Sequence, residues 1–95
     1  MYAVVRRYKG GSQVIDEVVR KRSDVEQLIR GVPGFVGYYV IKTSDGGATI
    51  TICEDRAGTE ESIRLAADWV RQNVPAGAAS PPEITEGEVP LHFGR

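Results

Sequence analysis

The 95-residue sequence is poor in the residues that usually carry chemistry, with one cysteine, one histidine and one tryptophan. The single cysteine, Cys53, cannot form an internal disulfide, which is expected of a protein in a reducing compartment. No spacing typical of a metal site, or of a nucleophile beside its base, occurs along the chain. The residue types alone therefore do not define a reaction.

An excess of charge of one sign is also missing. Twelve Lys and Arg are balanced by thirteen Asp and Glu, giving a formal net charge of -1. Such a chain has no field that selects nucleic acid or a charged membrane surface, so neither is expected as a partner. The apolar stretch before Arg6 is far shorter than the ~7–15 residues of a signal peptide core, and no run approaches the ~18 needed to span a bilayer. We expect a soluble, cytoplasmic protein.

The most informative stretch runs from Gly34 to Asp55, where two extended runs are joined by the residues at 44–47. Asp-Gly between alternating apolar runs is a strong hairpin signal, because a type I′ turn requires positive φ at both central residues. We predict a β-hairpin with Asp45 and Gly46 at the centre of its turn.

The two faces of this hairpin differ in chemistry. The more apolar face is predicted to form the core and consists of Phe35, Gly37, Tyr39, Ile41, Ala48, Ile50 and Ile52. The other face mixes apolar side chains with hydroxyls and a lysine, and consists of Val36, Tyr38, Val40, Lys42, Thr49, Thr51 and Cys53. That second face is predicted to cover a pocket or to meet a partner, with Cys53 as an inert, buried thiol.

The first part of the chain predicts one strand and one helix. A β-branched and aromatic run at 2–9 predicts strand one, whose cationic end places Arg6 and Arg7 at the rim of the domain. From Ser12 to Gly31 the apolar period changes to that of a helix, with Ser12 as the N-cap.

The second part predicts a helix and a final strand. Thr59 is the expected N-cap of a helix that ends at Val74-Pro75, and Trp69 falls on the shoulder of its apolar stripe. A linker follows at 75–82, and alternation then predicts a last strand. Because Pro90 cannot donate to a ladder, this is an edge strand or one that crosses to a neighbouring chain.

The order strand, helix, strand, strand, helix, strand predicts an α+β fold, the ferredoxin-like βαββαβ plait. In this arrangement one domain at 1–95 forms an antiparallel sheet with both helices on one face. The other face would expose a contiguous apolar patch, which is rare on a soluble monomer. We therefore predict a homodimer in which a second copy covers the open sheet face.

Four segments then point to a family: YAVVRRYKG, VPGFVGYYVI, EDRAGTEESIRLAADWV and PEITEGEV. With them the chain resembles the antibiotic-biosynthesis-monooxygenase-like (ABM-like) proteins, small ferredoxin-like subunits that pair their sheets into a dimeric α/β barrel. The PGF-x-GYY entry to the hairpin and the ED-R-x-G-x-EES start of the second helix are the most distinctive. The four segments extend the resemblance over nearly the whole chain. Their residues are turn, cap and core residues, and none of the segments is a catalytic signature.

The resemblance implies a function in two forms. Some relatives oxidise quinol-like or polyketide aromatics with dioxygen and no cofactor, whereas others bind and degrade haem. The haem-degrading branch is marked by an Asn in strand one, a Trp, and an axial His from the second helical region. Here Trp69 is in a plausible place, but strand one has no Asn and the only histidine is His92. No cofactor is therefore expected.

Four residues are candidates for binding a substrate: Tyr38, Trp69, Arg6 and His92. Tyr38 lies on the half-polar hairpin face, and Arg6 at the rim would suit an anionic substrate. Trp69 either walls a pocket or packs under a partner, and His92 is either a surface residue or an acid–base group. No catalytic residue is assigned.

Two functions remain open. The first is a cofactor-independent monooxygenase acting on a small aromatic or quinol-type substrate in a pocket of the dimer barrel. The alternative is a non-catalytic homodimer that binds a small hydrophobic ligand or serves as a stress-related accessory protein.

Overall fold

The computed structural model describes residues 1–77 and 80–94, so the predicted linker at 75–82 lies partly outside the described residues. Its elements are β1 (Tyr2–Lys9), α1 (Gln13–Arg20), α2 (Arg22–Arg30), β2 (Phe35–Thr43), β3 (Gly46–Cys53), α3 (Arg56–Asn73) and β4 (Glu83–Glu88).

The strands form one antiparallel sheet in the order β2-β3-β1-β4. The three helices pack on the same face, where Val14, Ile15 and Val18 of α1 meet Tyr8 of β1 in the main core. The predicted ferredoxin-like plait is confirmed, and so is the edge position of the last strand. This strand is shorter than expected, since β4 ends at Glu88.

The prediction of which hairpin face forms the core was wrong. Thr49, Thr51 and Cys53 are buried beneath the helices, whereas 59% of Tyr39 and 46% of Ile41 are exposed on the other face. Small β-branched side chains let a helix approach the sheet closely, so threonines suit this layer despite their hydroxyls. The more apolar face is the one that the helices leave open.

A β-bulge at the start of β2 contributes to this difference. Phe35 pairs with Cys53 and Gly37 pairs with Ile52, which leaves Val36 as an extra residue between the two pairs. Because paired residues point to the same side of a sheet, Phe35 joins Cys53 on the helix-covered face. Strict alternation had placed Phe35 on the opposite side.

The hairpin turn is centred one residue earlier than predicted, which shifts the expected pairing between the two strands by two residues. Thr43 pairs with Gly46, so Ser44 and Asp45 are the two turn residues. No non-glycine residue in the described part of the chain has positive φ, and the turn is therefore not of type I′. Gly46 is required here because a Cβ at this position would collide with the carbonyl of Tyr8. The two-residue shift preserves which residues share a face.

The helices also differ from prediction at their ends. The single helix expected from Ser12 to Gly31 is two helices, with a break at Lys21, where φ is -104° and ψ is 35°. Ser12 donates to the Asp16 carboxylate at 2.8 Å and does not cap the helix with its side chain. The break lets α1 and α2 each turn their apolar residues to the sheet.

The third helix starts three residues before the predicted cap. Its N-cap is Asp55, and Thr59 is fully buried inside the first turns. The Thr59 hydroxyl lies 2.7 Å from a carboxylate oxygen of Glu86 and 3.0 Å from the carbonyl of Arg56. Its polar group therefore ties α3 to β4.

Candidate functional site

Two adjoining cavities lie on the helix-covered side of the sheet. The outer groove, between α1, α2 and the edge strand β2, has a volume of about 560 Å³ and opens to the surface. The inner cavity, beneath α3, has a volume of about 20 Å³. Both are lined by Val18, Val25, Ile29 and Tyr38. Tyr38 therefore lines cavities within one subunit, because the helices cover the sheet face that carries it. A pocket inside a dimer barrel stays a prediction.

The outer groove has apolar walls and a charged mouth. The walls come from the helical stripe of α1 and α2 and from Phe35 on β2. At the mouth, Arg30 donates to Glu26 at 2.8 Å, and its guanidinium carbon lies 5.8 Å from the centre of the Phe35 ring. The outer groove therefore suits a largely apolar ligand that keeps a polar edge near solvent.

Tyr38 lies at the junction of the two cavities. Burial raises the pKa of its phenol to about 12, with the neighbouring Tyr8 adding to the effect. The nearby Thr49 hydroxyl and the charge of Arg6 lower this pKa without cancelling the shift. Tyr38 is therefore a protonated hydrogen-bond donor at neutral pH, and not a base.

Arg6 is buried, with 4% of its surface exposed, and is not at the rim of the domain as predicted. Side chains alternate along a strand, so Arg6 shares the helix-covered face with Tyr8, whereas Arg7 is exposed on the other side. The Nε of Arg6 donates to the Tyr8 hydroxyl at 3.1 Å, and its Nη1 lies 3.5 Å from the carbonyl of Ile63 on α3. Its guanidinium carbon is also 5.8 Å from the centre of the Tyr8 ring.

Trp69 lines the inner cavity together with Tyr38 and also packs against the core of its own subunit. Its packing under a partner stays a prediction. Its carbonyl accepts a hydrogen bond of 2.9 Å from the side chain of Asn73. His92, by contrast, is exposed in the segment after β4 and lines neither cavity. The structure therefore brings Tyr38, Trp69 and Arg6 to one region and leaves His92 outside it.

Tyr8 and Thr49 are the site residues that sequence reasoning missed. Both are buried and both line the inner cavity. The alternation of side chains along a strand could have identified Tyr8, because it stands two positions from Arg6 on β1 and therefore lies on the same face. Thr49 stands on the hairpin face of Tyr38, which was predicted to cover a pocket, but nothing in the sequence pattern singled out its hydroxyl.

Other chemistry-bearing features do not add to the site. Cys53 is fully buried, and burial, with a smaller effect of Asp55, raises the pKa of its thiol. Within residues 1–77 and 80–94 there is no cluster of three or more His, Cys, Asp or Glu side chains able to hold a metal ion. No helix in that part of the chain is long and apolar enough to cross a membrane.

This architecture is a ferredoxin-like fold, as predicted, and several solved structures share it. The haem degrader MhuD from Mycobacterium tuberculosis superposes with a TM-score of 0.68 at 14% identity, covering 99% of this chain and 100% of that one. A protein of unknown function from Nitrosomonas europaea superposes with a TM-score of 0.67 at 17% identity, covering 99% and 91%.

A third similar structure is a monooxygenase from Streptomyces coelicolor in complex with nanaomycin D. It superposes with a TM-score of 0.59 at 18% identity, covering 99% of this chain and 90% of that one. Neither a family model nor a curated protein matches the sequence. What the chain shares with these three structures is the fold.

Proposed function

We propose that this protein is a cofactor-independent monooxygenase that oxidises a small aromatic, quinol-type substrate between its helices and its sheet. The observation that carries the proposal is the junction at Tyr38, where an apolar groove meets a small cavity whose otherwise apolar lining includes the hydroxyl-bearing side chains of Tyr8, Tyr38 and Thr49. The fold shared with a monooxygenase that binds nanaomycin D supports it.

The size and lining of the outer groove suit this substrate class. Its volume of about 560 Å³ falls within the range of roughly 300–1,000 Å³ of small-molecule sites. Phe35 and the aliphatic side chains of α1 and α2 offer apolar contact to a ring, and the charged pair at the mouth offers contact to a polar substituent.

The reaction balances without an external reductant. When dioxygen oxidises an activated ring CH₂ to a ketone, one oxygen atom enters the product and the other leaves as water with the two hydrogens taken from the carbon. The substrate itself supplies the electrons. The task of the protein is then to exclude water and to stabilise the oxygen that gains negative charge when the substrate loses a proton. Tyr38, as a protonated donor, is placed for this second task.

The functional unit in this proposal is a homodimer. The open sheet face carries Tyr39 and Ile41, both exposed, together with the half-buried Ile50 and Ile52. An apolar patch of this kind is unusual on a monomer, and a second copy is the simplest partner that fits it. The segment after Pro90, where Leu91 is 69% exposed, is the candidate for crossing to that partner.

One observation favours the non-catalytic alternative. Among residues 1–77 and 80–94, the only carboxylate lining either cavity is that of Glu26, which accepts a hydrogen bond from Arg30. A protein that merely holds a small hydrophobic ligand needs no base, whereas an oxygenase with this lining requires a substrate acidic enough to ionise readily.

Oxygen uptake decides between the two functions. The purified protein is mixed with a panel of hydroquinones and anthrone-like aromatics, and dioxygen consumption is followed for the wild type, Tyr38→Phe and Trp69→Ala. Tyr2→Phe is the matched control because Tyr2 lines neither cavity. We expect uptake with at least one substrate, and a decrease of about tenfold or more in Tyr38→Phe from the loss of one donor.

Binding to the wild type, Tyr38→Phe and Tyr2→Phe is measured from the fluorescence of Trp69, the only tryptophan of the chain. A change in emission without oxygen uptake would support the non-catalytic ligand-binding function. The absence of both would reject both functions. Haem belongs in the panel because a similar structure is a haem degrader, and loss of its absorbance would indicate that substrate instead.

A further inference from the structure

The buried guanidinium of Arg6 has no acidic counterpart. Among residues 1–77 and 80–94, the ion pairs involve other cations, and none includes Arg6. Buried charges in proteins are normally paired with an opposite charge, because their desolvation is costly. An uncompensated cation beside a cavity therefore indicates that the negative charge is supplied by a ligand.

The hydrogen bonds around Arg6 leave one donor, the Tyr8 hydroxyl, without a partner in the described part of the chain. Because Arg6 Nε donates to the oxygen of Tyr8, the phenolic proton of Tyr8 remains to be donated elsewhere. No acceptor for it is found in the described part of the chain, although Tyr8 is buried. Glu86 shares this face of the sheet further along β4, but its carboxylate is engaged by Thr59 at 2.7 Å. The site is rich in donors and poor in acceptors.

The volume of the inner cavity restricts what can enter it. About 20 Å³ is enough for one water-sized group, since roughly 10–15 Å³ is the minimum for a water molecule. A single oxygen atom fits, whereas a carboxylate would bring two oxygens and a carbon. The adjoining outer groove has room for the ring that would carry this oxygen.

We propose that the inner cavity is an oxyanion site that takes the phenolate or enolate oxygen of an aromatic ligand seated in the outer groove. Tyr8 and Tyr38 donate hydrogen bonds to this oxygen. Arg6 is a positioning residue, which polarises the Tyr8 hydroxyl and supplies the compensating charge. The placement of the ring in the outer groove rests on the proposed function, whereas the preference for an anion rests on Arg6 and Tyr8.

A coloured phenol tests this site without any turnover. Binding of 4-nitrophenol to the full chain is followed by absorbance across a pH series, with 4-nitroanisole, which cannot ionise, as the matched ligand. We expect the pKa of bound 4-nitrophenol to fall by about one unit or more, which corresponds to at least about a tenfold preference for the anion. The anisole should bind more weakly than the phenolate by a similar factor.

Three variants test whether Arg6 and Tyr8 cause the fall in the pKa of bound 4-nitrophenol. Arg6→Met should remove the shift in the probe's pKa, and Tyr8→Phe, which conserves the ring, should reduce it if Arg6→Met does not fold. Arg7→Met is the control, because Arg7 is the exposed neighbour on the opposite face. The inference is overturned if the wild type does not bind the phenolate, if the probe's pKa is unchanged on binding, or if the shift survives in both Arg6→Met and Tyr8→Phe.

The outcomes separate this inference from the monooxygenase proposal. Binding of 4-nitroanisole with no preference for the phenolate would remove the oxyanion site and leave the groove as a substrate site. A preference for the phenolate, without oxygen uptake by any substrate in the panel, would keep the oxyanion site and remove the monooxygenase.

Discussion

Lys21 and Asn73 join the break between the first two helices to the end of the third. The Nζ of Lys21 donates to the Oδ1 of Asn73 at 2.7 Å, and Asn73 in turn donates its Nδ2 to the carbonyl of Trp69. Lys21 also lies 3.4 Å from the Glu17 carboxylate, which holds its ammonium group in place. The wall of the inner cavity formed by Trp69 is thus fixed by a polar contact between elements far apart in the sequence.

Asn73→Ala should therefore destabilise the protein and loosen Trp69. Loss of the two hydrogen bonds is expected to lower the free energy of unfolding by about 1–2 kcal/mol. The emission of Trp69 should shift to longer wavelength as its surroundings become more solvated. Urea denaturation followed by this emission measures both effects. Gln72→Ala, an exposed neighbour on the same helix, is the control, and equal values for the two variants would contradict the structural role of Asn73.

The raised pKa of Tyr38 predicts a loss of stability at high pH. The pKa is near 10 in the unfolded chain and about 12 in the folded one, so the neutral phenol is the form that the fold favours. The contribution is fully present below pH 10 and is lost as the pH rises toward 12, because the unfolded state then releases its proton more readily. Relative to Tyr38→Phe, which cannot ionise, the wild type should lose about 1–3 kcal/mol across this window.

Chemical denaturation of both proteins at several pH values between 9 and 12 would measure this difference. The other tyrosines and the lysines titrate in both proteins, so their contributions cancel when the two free energies of unfolding are subtracted. A constant difference in the free energy of unfolding between the two proteins would show that Tyr38 is not desolvated in the fold.

The topology could be predicted from the sequence because each element has a local signal. The change of apolar period after Gly11 and after Asp55 separates strands from helices, and the residues at 44–47 require a tight turn. The faces could not be assigned in the same way. Tyr39 and Ile41 are apolar enough to form a core, and no local property says whether helices or a second chain will cover them. The bulge at Val36 likewise has no marker in the pattern.

The sequence predicted the site only in part, because it identified some of the site residues but not their surroundings. Tyr38 and Trp69 were identified because a large polar aromatic needs a partner when it is buried. Arg6 was identified but placed at the rim, since charges at a strand end are usually solvated. Its burial depends on α3 crossing above β1, which brings the carbonyl of Ile63 to its guanidinium. Contacts between distant segments of this kind are not encoded in the spacing of residues along one element.

The proposed homodimer predicts that a charge on the open sheet face will separate its two copies. Ile41→Lys places an ammonium group on the apolar patch, and in a symmetric pair two like charges would be brought into the interface. We expect a shift from dimer to monomer, measured by light scattering or analytical ultracentrifugation, with the fold retained in the circular dichroism spectrum. Val19→Lys is the matched control, because Val19 is equally hydrophobic and 57% exposed but lies on α1. A wild-type monomer would reject the homodimer directly.

Gly58→Ala is expected to destabilise the protein, although alanine favours a helix more than glycine does. Gly58 lies in the first turns of α3, where alanine is ordinarily favoured over glycine by about 1 kcal/mol. A Cβ at this position would collide with the carbonyl of Pro33 and lie 2.7 Å from the Cβ of Cys53. The backbone carbonyl has little freedom to move, because Pro33 leads into the bulged start of β2. We therefore expect Gly58→Ala to lower the free energy of unfolding by about 1–3 kcal/mol.

Gly31→Ala makes the matched comparison. Gly31 has helical backbone angles, with φ -79° and ψ -4°, and a Cβ there would lie an ordinary 3.5 Å from the carbonyl of Leu28. This variant should be neutral or more stable than the wild type by up to about 1 kcal/mol, because alanine reduces the freedom of the unfolded chain. Thermal and urea denaturation of the two variants should thus give changes of opposite sign. If both variants are stabilised, α3 does not approach Pro33 and Cys53 as closely as the structure shows, and the buried position of Thr59 beside it would have to be revised.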